Sequence, residues 1–252
     1  MDPKGKLAVI TGGASGLGAA LVARLHAQGA RTIVLDVHAP ANDQSDFLPC
    51  DITDAQAVAS AIGSIEWPIS ILANCAGIGG LGPIATPDGP GDAADFRKVL
   101  DVNLLGAMQV TSIVAHRMIG NAPEGPDGER GIILNACSIA SFEGQEGMGA
   151  YTASKAALAA LTLVWARDLS RHAIRCVGMA PGFFDTPMTS HLPPDLVEEL
   201  VSGAEFPKRA GQAEEFAEAA LFLIRASYVN AEILRLDGGA RPPARTRWTA
   251  PA

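Results

Sequence analysis

The sequence predicts an α/β fold, with one doubly wound parallel sheet of seven strands and helices on both faces. Three observations lead there. Short apolar runs alternate with longer segments at helical spacing from one end of the chain to the other. The first run opens into a glycine-rich turn and then a helix. The residues that carry chemistry gather at the carboxyl ends of the runs, where ligands sit in sheets of this kind. No internal repeat or low-complexity block breaks the alternation, so residues 1–252 read as one domain.

The first strand is LAVI (Leu7 to Ile10), apolar throughout as in a buried parallel strand. TGGASGLG follows, with glycines at 12, 13, 16 and 18. Leu17, Leu21 and Leu25 then recur at helical spacing up to a stop at Gly29. Gly12, Gly16 and Gly18 let the backbone approach a pyrophosphate, and the helix start offers free N–H groups and a positive dipole end. RTIVLD is the second strand. Its last residue, Asp36, can accept bonds from both ribose hydroxyls of an adenosine and would repel a 2′-phosphate, which favours NAD over NADP. FLPCDITD is a third strand and a helix start. Asp51 there can hold an adenine amino group, and Thr53 or Asp54 can cap the helix.

ISILAN, the fourth strand, runs into Asn74-Cys75-Ala76-Gly77. These small residues either let a cofactor lie across the strand end or serve only a tight turn. GGLGPIATPDGPGD is a Gly/Pro loop inside the domain. The segment DAADFRKVLDVNLLGAMQVTSIVAHRMI has helical spacing and is interrupted by Asn103, whose amide must find partners on a buried face. GIILNACS is the fifth strand and delivers Ser138. IRCVGMAPG is the sixth and ends at Pro181-Gly182. The segment from about 183 to 210 is irregular and rich in proline, and is expected to wall or cover a substrate. A last amphipathic helix (AEEFAEAALFLIRAS), a seventh strand (AEILRLDGG) and a Pro/Arg-rich tail (241–252) complete the chain.

Between the fifth and sixth strands lies SIASFEGQEGMGAYTASK. Tyr151 and Lys155 are four residues apart, so they share a face of the Ala/Leu-rich helix that follows. A free phenol has a pKa of about 10, and an ammonium beside a phenol favours the phenolate. Such a pair can exchange a proton with a carbinol oxygen, which a serine hydroxyl can hold in place.

A net charge of −8 argues against a general nucleic-acid binder. No unbroken apolar run is long enough to suggest a membrane span, and no signal or transit stretch precedes the first strand. A cytoplasmic location is the expectation. The four cysteines (50, 75, 137 and 176) form no C-x-x-C and are expected to act as small buried hydrophobes. The five histidines show no metal-ligand spacing, so no metal is expected.

The combination of TGGASGLG, Asp36, Asp51, NCAG, Asn103 in DVNLLG, Ser138, YTASK and the PG after the sixth strand resembles the short-chain dehydrogenase/reductase family, with its Rossmann-like fold, over nearly the whole chain. ASFEGQEG, ARDLSRHAIR, APGFFDTPM, FPKRAG and EILRLDGGAR further resemble its type 2 3-hydroxyacyl-CoA dehydrogenase branch, whose members also oxidise hydroxysteroids. The resemblance implies Tyr151 as general acid/base and Ser138 as the group positioning the carbonyl. It gives Lys155 a role in assisting Tyr151 and holding the nicotinamide ribose, and Asn103 one in supporting a proton-relay water. It implies that Ser15, Leu17, Asp36, Asp51, Ile52, Cys75, Phe184 and Thr186 line NAD, and that the protein is a homotetramer. The implied substrate is a small molecule, an acyl-CoA or a steroid-like alcohol. The loop at Ala39–Ser45 and the segment before Asp92 are short for that branch. Arg241, Arg245 and Arg247 could meet CoA phosphates, though packing on a neighbouring subunit or disorder is the plainer expectation for such a tail. An NADPH-dependent 3-oxoacyl reductase is a second enzymatic reading, against which Asp36 speaks. A nucleotide sensor without turnover is a third, and it has no need to keep Ser138, Tyr151 and Lys155 together.

Overall fold

The computed structural model describes residues 1–41 and 45–245. Its elements in chain order are β1 (Leu7–Thr11), α1 (Gly16–Ala27), β2 (Arg31–Asp36), β3 (Asp46–Pro49), α2 (Ala55–Gly63) and β4 (Ile69–Asn74). A two-residue hairpin, β5 (Ala85–Thr86) and β6 (Gly89–Pro90), precedes α3 (Ala93–Leu100) and α4 (Ala107–Ile119). Then come β7 (Gly131–Ala136), α5 (Gly149–Ser170), β8 (Ile174–Pro181), α6 (Pro194–Ser202), α7 (Ala213–Arg225) and β9 (Ile233–Leu236). The main sheet has seven strands in the order β3-β2-β1-β4-β7-β8-β9, and every pairing in it is parallel. This is the predicted doubly wound sheet, and its order reverses direction between β1 and β4.

Strand side chains alternate between the two faces, and a large core forms on each, with a smaller cluster of Ala107, Cys137, Leu158 and Ala180 beside them. Ala8, Ile10, Val34, Ile71, Ile132 and Val177 pack with Leu21 and Leu25 of α1 and Phe216 and Leu221 of α7. Leu7, Val9, Leu35, Leu72, Ile133 and Cys176 pack on the other face with Val58 of α2, Val110 and Val114 of α4, and Ala166 of α5. A register shift between Leu7 and Ala8 against β4 lets Ile69 and Leu72 share a face although three residues apart. All the strand carboxyl ends then fall along one edge.

Four elements differ from the sequence expectation. The Gly/Pro loop holds the hairpin β5–β6. The segment at 183–210 contains α6, whose start is set by Pro194 in its first turn and Asp195 beside it. Asn103 does not interrupt its helix: a π-helical turn at Asp101–Gly106 carries α3 straight into α4. The combined helix Ala93–Ile119 has 27 residues and by length and composition is apolar enough to cross a membrane, which amends the expectation. One side of it lies in the core, with Val110, Val114 and Met118 wholly buried, and Phe96, Leu105 and Met108 stay exposed. Finally, Arg241 and Arg245 pair with Glu143 and Glu146 of their own chain, while Arg247 lies outside the described residues.

Candidate active site

At the end of β1 the chain turns through Gly12 with φ 65°, a conformation that costs other residues strain. A Cβ there would stand 2.6 Å from the N and Cα of Ala76, and one on Gly18 would stand 2.2 Å from the Gly12 carbonyl oxygen. Gly16 (φ 53°) faces Thr186 and Pro187, whose atoms lie 3.6 and 3.7 Å from its Cβ position. The N-cap of α1, Ser15, makes no side-chain capping bond, and the first turn of α1 holds no acidic residue. Ala19 is the first amide paired, to the Ser15 carbonyl at 3.1 Å. By helix geometry, the amides of Gly16, Leu17 and Gly18 are left for an outside acceptor at the positive dipole end. A cradle that only glycine permits, under an uncapped helix start, fits a dinucleotide pyrophosphate.

Asp36 stands beside it. Its two oxygens accept N–H bonds from Ala14 and His38, each at 3.1 Å. A carboxylate has about four lone-pair sites, so capacity remains for ribose hydroxyls. Asp51 is exposed and accepts from the Thr53 amide and hydroxyl at 2.9 and 2.7 Å. It lines an open cavity of about 510 Å³ with Thr53, Arg97, Lys98, Asp101 and Val102. Across the edge, Pro181 ends β8 beside Leu236. Gly182 follows, close enough to Asp237 that a Cβ would come within 2.9 Å.

Three expected cofactor residues turn their side chains elsewhere. The Asn74 amide, 2% exposed, donates to Thr111 at 2.8 Å and to Asn135 at 2.9 Å. Asn135 in turn donates to Thr162 at 2.9 Å, so this chain of amides ties β4 and β7 to the helices on one face. Ile52 is buried in the core on that face and abuts Gly106, whose Cβ position is 2.7 Å from it. The Phe184 ring is buried in the opposite core against Gly211. The sequence places Asn74 at the cofactor from its position at a strand end, and the family resemblance places Ile52 and Phe184 there; the pleat and the packing send these three side chains inward and leave only their main chain at the edge. Cys75 is half-buried, and burial pushes its thiol up to about 12 against the opposing charge of Lys155. It is a neutral thiol at neutral pH, not a nucleophile.

The reacting groups come from β7 and α5. Ser138, 7% exposed, caps a short 3₁₀ turn, its Oγ accepting the Ala140 N–H at 3.1 Å. That engages an acceptor lone pair and leaves the hydroxyl proton to donate. Tyr151 lies in the first turn of α5. One turn on, Lys155 is 5% exposed, with Nζ 5.9 Å from the Tyr151 ring centroid. It donates to the Ala136 carbonyl at 2.7 Å. Among the described residues no carboxylate forms an ion pair with it, an unusual state for a buried lysine and one that suits a functional role.

Asn103 shows what the π-helical turn is for. Its Oδ1 accepts the Ile78 N–H at 2.8 Å, and its Nδ2 donates to the Ile78 carbonyl at 2.9 Å and to Ser154 Oγ at 3.1 Å. Ser154 donates to the Tyr151 carbonyl at 2.7 Å. Asn103 thus locks the chain beyond β4 to the first turn of α5. Gly77 sits in this corner: its Cβ position is 3.2 Å from Asn103 Oδ1 and 3.4 Å from Lys155 Nζ. The sequence reading did not single out Ser154, although it lies inside YTASK. It also passed over Thr11, whose hydroxyl accepts the Ala76 N–H at 3.2 Å and holds the ends of β1 and β4 together.

The family model for short chain dehydrogenases matches residues 6–196. The chain is 39% identical over 251 residues to the human (Homo sapiens) 3-hydroxyacyl-CoA dehydrogenase type-2, covering 94% of this chain and 96% of that one. It is 31% identical over 255 residues to a 3-oxoacyl-[acyl-carrier-protein] reductase of Thermotoga maritima, covering 95% and 99%. A crystal structure of 3-hydroxyacyl-CoA dehydrogenase type-2 from Mycobacterium avium superposes with a TM-score of 0.88 at 34% identity, covering 95% of this chain and 97% of that one. With a glycine cradle, a strand-end aspartate and a serine, tyrosine and buried lysine on one sheet edge, the chain belongs to the short-chain dehydrogenase family and is an oxidoreductase acting on CH–OH donors.

Proposed function

We propose that the protein is an NAD-dependent dehydrogenase interconverting a 3-hydroxyacyl-CoA and a 3-oxoacyl-CoA. The observation that carries the chemistry is the buried, carboxylate-free Lys155 one helical turn from Tyr151, with Ser138 holding an unspent O–H on the neighbouring strand end. A bound nicotinamide supplies the acceptor or donor of hydride. Tyr151 exchanges the proton with the substrate oxygen through its phenol. Ser138 donates to that oxygen and orients it. Lys155 has one N–H on Ala136 and two left for the phenol side and a cofactor ribose. Asn103, through Ser154, keeps the first turn of α5 in place. The substrate assignment rests on similarity that runs through the whole chain to relatives named for that activity. NAD is favoured because the Asp36 carboxylate occupies the strand end where a 2′-phosphate would fall.

The test is reduction of acetoacetyl-CoA followed by nicotinamide absorbance, with NADH and NADPH compared. Two like charges about 4 Å apart near a surface repel by about 1–4 kcal/mol, so NADH should win in kcat/KM by about fivefold or more. A preference for NADPH would reassign the enzyme to the reductase reading. Turnover of a hydroxysteroid with NAD but not of acetoacetyl-CoA would move the substrate to the bulky alcohols.

The chain is further proposed to assemble as a homotetramer. Phe96, Leu105 and Met108 on the long helix, and Leu163 and Val164 on α5, are large apolar residues left exposed on elements that pack together. Clustered exposed apolar surface marks interaction sites. Light scattering should return four chain masses, and a monomer mass would overturn this.

A further inference from the structure

Ser138 and Tyr151 are joined by a loop, residues 139–148, that must hold both in register. The helix it enters holds the start of the loop, where Ser141 Oγ donates to the Lys155 carbonyl at 2.9 Å, but its N-cap, Met148, makes no capping side-chain bond and no acidic residue lies in its first turn. The rest of the loop is fastened from outside. On one side the Gly82 N–H donates to the Gly147 carbonyl at 2.8 Å.

On the other side stands Arg235, in β9 at the edge of the sheet. Its two terminal nitrogens donate to the two oxygens of Glu143 at 2.8 and 3.0 Å, a fork-to-fork pair. Its Nε and Nη2 donate to one oxygen of Asp237 at 2.9 and 2.7 Å, and Nη2 also to the Ala240 carbonyl at 3.2 Å. The guanidinium carbon lies 5.3 Å from the Phe142 ring centroid, within cation–π range. Asp237, with 8% of its side chain exposed, is fixed in turn by the Gly239 N–H at 3.0 Å and by its contact with Gly182. The tail adds a second layer. Glu146 N–H donates to the Ala244 carbonyl at 2.9 Å, and Gln145 donates to the Pro243 carbonyl at 3.1 Å. Arg241 approaches Asp237 and Glu143 at 3.3 and 3.6 Å.

We propose that Arg235, through Glu143 and Phe142, is the positioning residue that holds the Ser138–Tyr151 loop on the end of the sheet, so that the two hydroxyls meet one substrate oxygen. The proposal rests on the roles given above to Ser138 and Tyr151. Arg235 touches no reacting atom in it. A planar fork suits the site, because it places two nitrogens on Glu143 and two on Asp237, paired bonds that the single ammonium of a lysine cannot reproduce. Misplacing catalytic groups by about 1 Å costs about 10²-fold in rate, so loosening the loop acts on turnover and leaves the glycine cradle untouched.

The test compares Arg235→Gln, Arg235→Lys, Glu143→Ala and the double variant Arg235→Gln with Glu143→Ala against the unaltered full-length protein, at a temperature well below each thermal midpoint. Turnover of acetoacetyl-CoA with NADH should fall about 10–100-fold in Arg235→Gln, with NADH affinity changed by less than about twofold. Arg235→Lys should recover only part of the loss, and the double variant should be no worse than the poorer single one, because the two residues act as one contact. If Arg235→Gln does not fold, Glu143→Ala carries the test, since it leaves Arg235 paired with Asp237. Folded variants with lowered midpoints but turnover within about twofold of the parent would reduce the cluster to a stability clamp and overturn the proposal. Tyr151→Phe run in parallel separates the failures. If it stays active, the underlying roles are wrong. If it is inactive while Arg235→Gln turns over normally, only the positioning role is wrong.

Discussion

Tyr151→Phe should lower turnover by about 10²–10⁴-fold, the range of general acid–base catalysis, while NADH affinity stays within about twofold. The substitution removes one oxygen and little else. The main-chain carbonyl of Tyr151, which receives the Ser154 hydroxyl at 2.7 Å, is unaffected. So is the link from Ser154 to Asn103, and Lys155 keeps its bond to the Ala136 carbonyl. The ring itself remains beside Lys155. The cradle at Gly12–Gly18 is built on other elements, β1 and α1, and does not sense the change. The expected signature is therefore a loss in kcat with binding intact, read by steady-state kinetics and NADH fluorescence. A phenylalanine variant within about tenfold of the parent would sink the proton-transfer role. Intact turnover with weakened NADH binding would place the phenol in the cofactor site instead.

That expectation rests on YTASK together with the rest of the chain, since a tyrosine and a lysine four apart are weak evidence by themselves; the succession of strands and helices follows from short-range periodicity. Apolar runs such as LAVI and GIILNA show a strand, and four-residue spacing shows a shared helix face. The orientation of single side chains was less legible. Asn74 sits at a strand end as a cofactor contact should, but the pleat turns its amide toward Thr111 and Asn135, residues 37 and 61 positions away. Phe184 and Ile52 are drawn inward because burying a large apolar side chain is worth about 1.5–3 kcal/mol, more than a surface contact returns. The proline-rich segment hid α6, since Pro-Pro suggests a break until the second proline is seen as a helix start. The tail arginines left an anion site open as one reading because the carboxylate partners of Arg241 and Arg245, Glu143 and Glu146, are remote in the sequence. Such pairs are set by the fold and leave no local pattern.

Gly18→Ala is expected to weaken NADH binding by about 10–100-fold, although the added methyl is the smallest side chain there is. Its carbon would stand 2.2 Å from the Gly12 oxygen, 2.9 Å from the Gly12 carbonyl carbon and 3.1 Å from Gly13 Cα. All three are main-chain atoms, so no rotamer change relieves the clash. The Gly12 turn cannot retreat: its N–H is bonded to the Leu35 carbonyl at 3.0 Å, and its Cα packs against Ala76 on the side of β4. The start of α1 must move instead, and it carries the unpaired amides of residues 16–18 with it. Overpacking of this kind costs about 1–3 kcal/mol. Here the strained part is the phosphate site itself, so the cost surfaces as lost affinity, tenfold for each 1.4 kcal/mol. The protein should still fold, because Leu21 and Leu25 hold the rest of α1 in the core with Phe216 and Leu221. Gly13→Ala is the control. Its Cβ would meet the buried side chains of Val34 and Ile10 at 2.9 and 3.3 Å, in the core and not on the main chain of the cradle, so its cost should fall on stability more than on NADH affinity. Fluorescence titration of both variants decides the matter. If Gly18→Ala binds NADH as the parent does, α1 does not begin at the pyrophosphate, and the cofactor must approach this edge of the sheet by another path.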